Sequence, residues 1–523
     1  MKVAERFSQL LADRGIHEIF GNPGTTELPL LEGIRQRYFL TLHDAIALGA
    51  ADGHAQVRRS VAVANLHAAP GLGNSIAFLD SARRNHSPVL VTVGQQDLRH
   101  VAQRPLLFGD FESMIAGLVK YSHEVHSGAD LESAVRTAFR QALEPPMGPV
   151  LLSLPMDVME AEALVPVAGG GNLDDPETAD EPIERIAERL RGAARPALVV
   201  GHEVDIDGAF PEVERLAKHL GAPVYAEPIC SRAPIPAELA NFAGDLLPQS
   251  AMISSVLGDY DLVVLVGADL TLYPYSPAPL PGPDRLAYLG SDPSVPQKLG
   301  CKRALGRLPS LIRALLAELP ESGRQYARPR DLARANRVAR AAARMGAEFV
   351  VDAISRHFHD HTVVDESVSW IPTMKGAGFY RGADSYFSSR SQQLGWGLAA
   401  AIGIGLERPR TAVVLGDGSL QYSVQALWTL GRYRIPVKVV VVNNGGYAIL
   451  KSYSKANHPG LARAEYLDLP GVDVVGLARS YGLPADSVAT PGELDAALDR
   501  LKGQDGPALL NIEVDRTVPD LFS

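Results

Sequence analysis

The chain has 523 residues, of which 46% are apolar and 21% are charged, and its formal net charge is −10. This composition is typical of a globular protein with large hydrophobic cores, and the length predicts about three domains. The acidic balance, without a basic run on a candidate binding face, argues against a nucleic-acid partner. Cys230 and Cys301 are the only cysteines, which excludes a disulfide framework and favours a reducing compartment.

The N-terminal residues Met1–Gly15 show the spacing of an amphipathic helix and lack the apolar core of a signal peptide. No apolar run approaches the ~20 residues that a membrane-spanning helix needs. We therefore expect a cytoplasmic protein with no membrane partner. The densest positive stretch, Arg328–Arg344, carries six arginines and predicts a solvated helix face or a connection between domains.

Three stretches in the N-terminal part read as strands or strand ends that lead to polar residues. The segment Phe20–Glu27 is a tight turn after a short strand and contains Thr25. A second strand leads into a helix near Asp44, and the strand Val61–Leu66 ends at His67. Because the carboxyl ends of parallel strands meet at one edge of a sheet, we expect Thr25, Asp44 and His67 to share that edge.

A lone histidine is more often a hydrogen-bonded structural residue than a catalytic one. His67 differs because it lies at a strand's carboxyl end, before the Gly-rich segment Pro70–Asn74, which the sequence predicts to be a turn. This position favours a functional role for His67.

Two breaks divide the chain into three blocks that alternate strand-like and helical patterns. Val165–Pro182 is rich in Gly, Pro and acidic residues and reads as a linker, and a second break falls at Pro320–Pro329. We therefore predict domains at residues 1–165, 183–320 and 340–523. Each is expected to be a doubly wound α/β domain with a mostly parallel sheet.

The middle block has strand candidates at Ala197–Val200 and Leu262–Val266. It lacks the Gly-x-Gly-x-x-Gly fingerprint of a dinucleotide site, which argues against a nicotinamide-dependent dehydrogenase. We expect a structural domain here, with nucleotide binding as the alternative.

The two outer blocks contain similar short sequences. Gly148–Leu152 and Gly506–Leu510 both read as Gly-Pro followed by an apolar strand, and Ser87–Val89 resembles Ile435–Val437. Together these pairs predict a duplicated fold with a different domain inserted between the copies.

Two motifs near the C-terminus follow apolar strands: residues 416–419 (Gly-Asp-Gly-Ser) after Thr411–Leu415, and residues 443–446 (Asn-Asn-Gly-Gly) after Val437–Val442. A carboxylate, an amide oxygen and a backbone carbonyl at strand ends suit Mg²⁺, which fills its octahedron with phosphate oxygens and water. The glycines let a diphosphate approach the backbone, and a helix predicted after Ser419 would direct its N-terminus at the anion. Gly-Asp-Gly alone is also a common turn.

The pair of motifs at this spacing resembles the fingerprint of thiamine diphosphate (ThDP) enzymes. The whole chain resembles the ThDP-dependent decarboxylase and carboligase superfamily, and within it most resembles the benzoylformate decarboxylases. The segments that carry the resemblance are Gly21–Pro29, Leu42–Ala55, Asn65–Asn74, Ser87–Gln95, Asp365–Ser369, Leu394–Gly403, Gly416–Pro436 and Asn443–Tyr447.

The resemblance implies a pyrimidine-binding domain, a central domain and a diphosphate-binding domain, with active sites shared between two subunits of a homodimer or homotetramer. It also implies cofactor and metal residues. The side chains of Asp417 and Asn444 and the carbonyl of Gly446 would hold Mg²⁺. Leu394 would wedge ThDP into a bent conformation. The remaining cofactor-binding residues would be Ser369, Gly416, Gly418, Ser419 and Tyr447.

The resemblance further implies three catalytic residues. Asp44 stands where the family has a glutamate that contacts the pyrimidine ring, His67 matches an active-site histidine, and Thr25 matches a serine that binds the substrate carboxylate. The implied substrate pocket consists of Arg390, Gln393, Ile449, Leu450 and Tyr453.

Two departures from the family pattern bear on the reaction. Asp44 is one methylene shorter than the family's glutamate, and the second active-site histidine has no counterpart in the stretch Leu270–Tyr275. Arg390, Gln392 and Gln393 replace small residues, which suggests a polar substrate with a second anionic group.

The resemblance therefore predicts a ThDP- and Mg²⁺-dependent 2-oxo acid decarboxylase that cleaves a C–C bond non-oxidatively through ylid and enamine intermediates. One alternative is a carboligase or lyase acting on 2-hydroxy ketones, similar to acetolactate synthase or benzaldehyde lyase. The other is a ThDP-binding protein whose catalysis is weakened by Asp44.

Overall fold

The structure is a computed structural model that describes residues 1–163, 183–320, 323, 326 and 345–522. The predicted linker Val165–Pro182 and the arginine-rich stretch Arg328–Arg344 lie outside the described residues. Three six-stranded parallel sheets flanked by helices confirm the predicted α/β class.

The first sheet forms from short runs of β-branched and aromatic residues that are largely buried. Its strands are β1 (Glu18–Asn22), β2 (Arg37–Leu40), β3 (Ala62–Leu66), β4 (Val89–Gln95), β5 (Ser122–Glu124) and β6 (Val150–Pro155). They lie in the order β2-β1-β3-β4-β6-β5. The accompanying helices are Val3–Ala12, Leu28–Gly33, Asp44–Arg58, Ala68–Arg84, Phe111–Met114, Gly128–Leu143 and Met156–Glu160.

The second sheet belongs to the middle block. Its strands are β7 (Pro196–Val200), β8 (Val224–Ala226), β9 (Phe242–Asp245), β10 (Leu262–Val266), β11 (Leu286–Gly290) and β12 (Lys302–Leu305). The order β12-β11-β10-β7-β8-β9 is that of a doubly wound sheet. Its helices are Ile183–Gly192, Glu203–Ile206, Phe210–Leu220, Ser250–Leu257, Ser294–Leu299 and Leu308–Glu318.

The third sheet contains both predicted C-terminal strands. Its strands are β13 (Thr362–Glu366), β14 (Tyr386–Phe387), β15 (Thr411–Gly416), β16 (Val437–Asn443), β17 (Ala485–Val488) and β18 (Ala508–Glu513), in the order β14-β13-β15-β16-β18-β17. Its helices are Ala347–Phe358, Ile371–Lys375, Trp396–Glu407, Asp417–Ser423, Ala426–Tyr433, Ala448–Asn457, Val474–Ser480 and Pro491–Lys502.

The first and third sheets have the same strand order when their strands are counted from each sheet's first strand. The sequence similarities between the outer blocks fall on equivalent strands, since Val89 and Val437 begin β4 and β16. Likewise Val150 begins β6 and Ala508 begins β18, each directly after the Gly-Pro. This matches the predicted duplication.

The described chain divides into two compact units. One contains the described residues up to 163 together with 364–369 and 391–522; the other contains those from 183 to 363 and 370–390. The N-terminal sheet and most of the C-terminal sheet therefore belong to the same unit.

Within the first unit, the Asp44–Arg58 and Trp396–Glu407 helices pack with their backbones close together. A β-carbon on Gly53 would lie 2.2 Å from the carbonyl oxygen of Ala400, and one on Gly403 would lie 2.0 Å from that of Ala50. Both contacts exclude any larger residue. The small residues after Asp44 therefore allow a helix of the first sheet to pack closely against a helix of the third sheet, a role that their sequence pattern did not predict.

Two local predictions were wrong. Pro70–Asn74 is not a turn but the first part of the Ala68–Arg84 helix, in which Gly71 is buried against neighbouring residues. The helix predicted after Ser419 begins earlier, at Asp417. Among the described residues, no helix has the length and apolar content needed to cross a membrane.

Candidate active site

Asp44 is the first residue of its helix and is 4% exposed. Its Oδ1 accepts a hydrogen bond from the backbone N–H of His67 at 3.0 Å, and its Oδ2 accepts one from Asn22 Nδ2 at 3.0 Å. These bonds join the ends of β1 and β3 to the start of the helix, so the predicted shared edge of Asp44 and His67 is present.

The His67 ring is held by Glu27, a residue to which the sequence had assigned no role. His67 Nδ1 lies 2.8 Å from Glu27 Oε2 and 3.2 Å from Thr26 Oγ1. Glu27 is fully buried and also accepts hydrogen bonds from the N–H groups of Gly24 at 2.7 Å and Gly94 at 3.0 Å. An acceptor at Nδ1 favours the tautomer with its proton there, which leaves Nε2 as the ring's proton acceptor.

Thr25 begins the short helical turn Thr25–Glu27 after β1, and its side chain is exposed. It lies at the predicted sheet edge, but its neighbours Thr26 and Glu27 make the side-chain contacts with His67.

The two C-terminal motifs lie at the ends of the neighbouring strands β15 and β16. Asp417 is buried, and its carboxylate faces the backbone N–H groups of Asn444 and Gly446. Burial raises the pKa of Asp417 above its ordinary value, and those N–H groups act against the rise. Asn444 Oδ1 accepts from the N–H of Gly446 at 3.1 Å. The structure thus brings all three predicted metal ligands together.

The donor chemistry of this set fits a hard divalent cation. It offers only oxygen atoms, namely the Asp417 carboxylate, the Asn444 amide oxygen and the Gly446 carbonyl. Among the described residues, no group of three or more His, Cys, Asp or Glu side chains could hold a metal. A metal at this edge would therefore take its remaining ligands from outside these side chains, as diphosphate oxygens would supply.

The predicted diphosphate contacts surround the same strand ends. Gly416 ends β15, Ser419 is buried in the first turn of the next helix, and Ser419 Oγ donates to the carbonyl of Glu366 at 3.4 Å. A β-carbon on Gly418 would lie 2.9 Å from the Tyr447 ring, which covers the backbone at that point. Burial raises the pKa of Tyr447. Glycine at position 418 therefore leaves room for the Tyr447 ring beside the N-terminus of the Asp417–Ser423 helix.

Ser369 lies in the short turn Val368–Trp370 after β13, and it is partly buried. Leu394 and Gln393 precede the Trp396–Glu407 helix, and Gln393 Nε2 donates to the carbonyl of Leu394 at 2.9 Å. The Gln393 amide is thus engaged with the main chain.

Three predicted pocket residues lie on the Ala448–Asn457 helix, which follows the second motif. Ile449 and Tyr453 are partly buried, whereas Leu450 is 47% exposed. The Tyr453 ring packs edge-on against Phe522 with ring centroids 5.3 Å apart.

Arg390 belongs to the unit of the central sheet, where its guanidinium lies among polar side chains that follow β7, β8 and β10. Its Nη2 is 3.8 Å from Glu227 Oε2 and 4.0 Å from Asp269 Oδ2, and its Nη1 is 3.3 Å from His202 Nε2. Burial raises the pKa of Glu227, and Arg390 acts against the rise. The positive charge of Arg390 therefore already faces two carboxyl groups.

Sequence reasoning missed three buried acidic residues near these sites: Glu27, Asp52 and Glu366. A signal was present for each, because each stands in or beside an otherwise apolar segment and buried acidic groups need partners.

Comparison with known proteins agrees with this geometry. The chain matches the thiamine pyrophosphate enzyme N-terminal TPP binding domain over residues 1–114, the central domain over 183–299 and the C-terminal TPP binding domain over 372–512. Thiamine pyrophosphate is another name for ThDP. The chain belongs to the thiamine pyrophosphate enzyme family, and it is a ThDP-dependent enzyme.

Within this family the chain groups with benzoylformate decarboxylases and acetolactate synthases. It is 33% identical to benzoylformate decarboxylase of Pseudomonas aeruginosa, with 98% of each chain covered. It is 28% identical to a putative acetolactate synthase large subunit of Mycobacterium tuberculosis, over 98% of this chain and 99% of the other. The crystal structure of benzoylformate decarboxylase from Polynucleobacter necessarius superposes with a TM-score of 0.90 at 26% identity, covering 100% of both chains.

Proposed function

We propose that this chain is a ThDP- and Mg²⁺-dependent 2-oxo acid decarboxylase that cleaves a C–C bond non-oxidatively. The observation that carries the proposal is the Glu27–His67 pair beside Asp44, since it supplies an oriented proton carrier next to a buried carboxyl group at one sheet edge. Its similarity to benzoylformate decarboxylase supports the same reaction. When bound, ThDP supplies an electron sink for the electron pair left by the departing CO₂.

The residues at the edge of the first sheet would have three different roles in the reaction. Asp44 would hold a hydrogen bond to the cofactor's pyrimidine ring, and Asn22 and the His67 N–H fix the orientation of its carboxyl group. His67 would exchange a proton with the substrate through Nε2, because Glu27 occupies Nδ1. Thr25, exposed at the same edge, would bind the substrate carboxylate.

The residues of the third sheet would hold the cofactor. Asp417, Asn444 and Gly446 would bind Mg²⁺ with the oxygens described above. Leu394 would keep the cofactor bent. The diphosphate and its surroundings would be contacted by Ser369, Gly416, Gly418, Ser419 and Tyr447.

The proposed pocket consists of Arg390, Gln393, Ile449, Leu450 and Tyr453. Arg390 and Gln393 make it more polar than an aromatic pocket alone, which favours a 2-oxo acid with a second polar group. The carboxyl groups beside Arg390 reduce the net positive charge that such a substrate would meet.

A carboligase acting on 2-hydroxy ketones is the second candidate. Its supporting observations are the 28% identity to a putative acetolactate synthase large subunit and the absence of a histidine in Leu270–Tyr275. Fewer proton donors near the substrate would lengthen the life of the decarboxylated intermediate, and an aldehyde acceptor could then capture it.

We also propose that the enzyme is a cytoplasmic homodimer or homotetramer with domains at 1–165, 183–320 and 340–523. Its active sites would combine the Asp44 edge of one subunit with the Asp417 edge of its partner. Light scattering with an activity assay tests this, because a fully active species of 55.9 kDa would contradict shared sites.

The decisive experiment is a screen of 2-oxo acids for CO₂ release in the presence of ThDP and Mg²⁺, with and without an acceptor aldehyde. We expect CO₂ release and an aldehyde product without an acceptor. Product that forms only with the acceptor would favour the carboligase. No turnover of any 2-oxo acid by ThDP-loaded protein would contradict the decarboxylase.

A further inference from the structure

The segment 391–395 carries Leu394 and has no regular secondary structure. Its first residue is tied to the N-terminal part of the chain, because Ser391 Oγ lies 2.7 Å from Ser81 Oγ on the Ala68–Arg84 helix. The N–H of Gln393 also donates to Ser391 Oγ at 3.2 Å. The start of the segment is therefore held by a side chain from a distant helix.

The end of the segment is held by Glu366, the last residue of β13. Its Oε1 accepts a hydrogen bond from the N–H of Gly395 at 2.6 Å, and its Oε2 accepts one from the N–H of Gly397. These N–H groups lie at the start of a helix, where they have no partner within the helix itself. Glu366 therefore fixes the backbone immediately after Leu394.

Asp52 holds the next residue, Trp396. The Trp396 indole Nε1–H donates to Asp52 Oδ2 at 2.7 Å, and both side chains are fully buried. Three more side chains donate to the same carboxyl group: Gln56, Asn85 and Ser87. Four donors leave the Asp52 carboxyl group little freedom to rotate, so it is a rigid acceptor for the indole.

The segment also rests directly on the helix that carries Asp417 and Ser419. Gly395 has φ +87°, and a β-carbon there would lie 2.8 Å from Tyr422 Cβ. Only glycine adopts this conformation easily and leaves this space. A shift of the segment would therefore displace the helix that carries the proposed metal and diphosphate residues.

We propose that Glu366 and Asp52 are positioning residues that hold the segment 391–395 so that Leu394 keeps its place against the bound cofactor. The inference rests on the proposed function, in which Leu394 bends ThDP, and it assigns roles to two buried carboxyl groups outside the predicted site. An irregular segment has no regular backbone hydrogen bonds of its own, so side chains from other elements must hold it in place. Displacement by about 1 Å of a group that orients reactants can slow a reaction roughly 10²-fold.

The first test uses the protein without cofactor. In Glu366→Gln, one backbone N–H would face an amide N–H₂ group instead of an acceptor, so one of the two anchors is lost. Amide hydrogen exchange of the peptide covering 391–397, followed by mass spectrometry, should become at least about tenfold faster than in the wild type. Trp396→Phe, which removes the indole donor to Asp52 together with part of the buried ring, should act in the same direction.

The second test measures C2 proton–deuterium exchange on bound ThDP by acid quench and NMR. Glu366→Gln and Trp396→Phe should each slow this exchange about 10- to 100-fold. In a Leu394→Ala background, the same changes should slow it further by less than about threefold, because the side chain through which they act is already gone.

Glu203→Gln is the matched control, since Glu203 is also a buried carboxyl group and accepts bonds from Tyr288 and Ser291 in the other unit. It should leave C2 exchange within about twofold of the wild type, even where it lowers thermal stability. The inference is overturned if Glu366→Gln slows C2 exchange as much in the Leu394→Ala background as it does in the wild type. It is also overturned if Glu366→Gln and Trp396→Phe fold normally and keep the wild-type rate of C2 exchange.

The outcome is separable from that of the proposed function. If wild-type protein exchanges C2 rapidly but decarboxylates no 2-oxo acid, the decarboxylase proposal fails while the comparison with Leu394→Ala still decides the roles of Glu366 and Asp52. If the wild type does not bind ThDP, both proposals fall.

Discussion

His67 Nδ1 lies 2.8 Å from Glu27 Oε2, and this contact orients the ring and favours the tautomer with its proton on Nδ1. Glu27 is itself held in place, because it is fully buried and accepts hydrogen bonds from the backbone N–H groups of Gly24 and Gly94. The pair has the geometry of the carboxylate–histidine arrangements that orient an imidazole for proton exchange, which is the role we propose for it.

We expect His67→Ala to slow turnover by ~10²–10⁴ and to leave ThDP affinity nearly unchanged, because a positioned proton carrier is lost but no cofactor contact is. Glu27→Gln should slow turnover by about 10- to 100-fold, since an amide disturbs the tautomer preference. Steady-state kinetics and calorimetry check both.

The double variant supplies the control for this pair. If Glu27 acts through His67, then Glu27→Gln combined with His67→Ala should be no slower than His67→Ala alone. Unchanged turnover in His67→Ala would instead make the histidine a structural residue.

The sequence predicted those parts of the fold that depend on local residue patterns, namely individual strands and the duplication. Buried β-branched runs that stop at polar residues identified β3, β15 and β16, and the Gly-Pro and Pro-Val similarities predicted a duplication that the equal strand orders match. These patterns can be recognised in the sequence because a parallel strand buried on both faces tolerates few residue types.

The sequence could not predict contacts that depend on side chains from distant elements. Glu27 meets His67 across 40 positions, and Trp396 meets Asp52 across 344. The turn predicted at Pro70–Asn74 was wrong because tertiary packing overrides glycine's local preference: Gly71 allows the helix to pass close to Asp44.

ThDP binding should require a divalent cation, because Asp417, Asn444 and Gly446 supply too few ligands unless the diphosphate adds its own oxygens. Calorimetry with ThDP should show strong binding with Mg²⁺ and weak binding with a chelator. Asp417→Ala should weaken ThDP binding at least about tenfold. Equal affinities in the wild type and Asp417→Ala would rule out this metal site.

Glu366 should make stability depend on pH. Burial raises its pKa from 4.5 to about 7, against the effect of the hydrogen bonds from Gly397 and Gly395. A raised folded-state pKa means that the contribution to the free energy of unfolding is complete below about pH 4.5 and is lost as the pH rises through 7. The full effect is roughly 3 kcal/mol at most.

The measurement is the thermal midpoint of the wild type minus that of Glu366→Gln between pH 5 and pH 8. We expect this difference to fall with rising pH. Glu32→Gln is the control, because the pKa of the exposed Glu32 is lowered by Lys2, and its carboxyl group is ionised in both folded and unfolded chains over this range. A difference that is flat or rises with pH would contradict the assignment.

Asp44 provides the sharpest test, because it is shorter than the family's glutamate. A carboxyl group facing the pyrimidine ring stabilises the form of ThDP that loses its C2 proton, and it acts best when poorly solvated. Asp44→Ala should therefore bind ThDP but slow C2 proton–deuterium exchange at least about tenfold. Asp44→Asn, of nearly equal size, separates the loss of the acid from the loss of volume.

The structure also predicts the direction of Asp44→Glu. Both oxygens of Asp44 already have partners at 3.0 Å, and a β-carbon on Gly71 would lie only 2.4 Å from Oδ1. The surroundings are thus fitted to aspartate, and an added methylene would force the carboxyl group or the Gly71 backbone to move. We expect slower C2 exchange in Asp44→Glu than in the wild type. Faster exchange in Asp44→Glu would mean that the native carboxyl group of Asp44 lies too far from the pyrimidine ring. Wild-type exchange no faster than that of free ThDP would favour a cofactor-binding protein without catalysis. Rapid exchange that survives Asp44→Ala would assign the activation to another group.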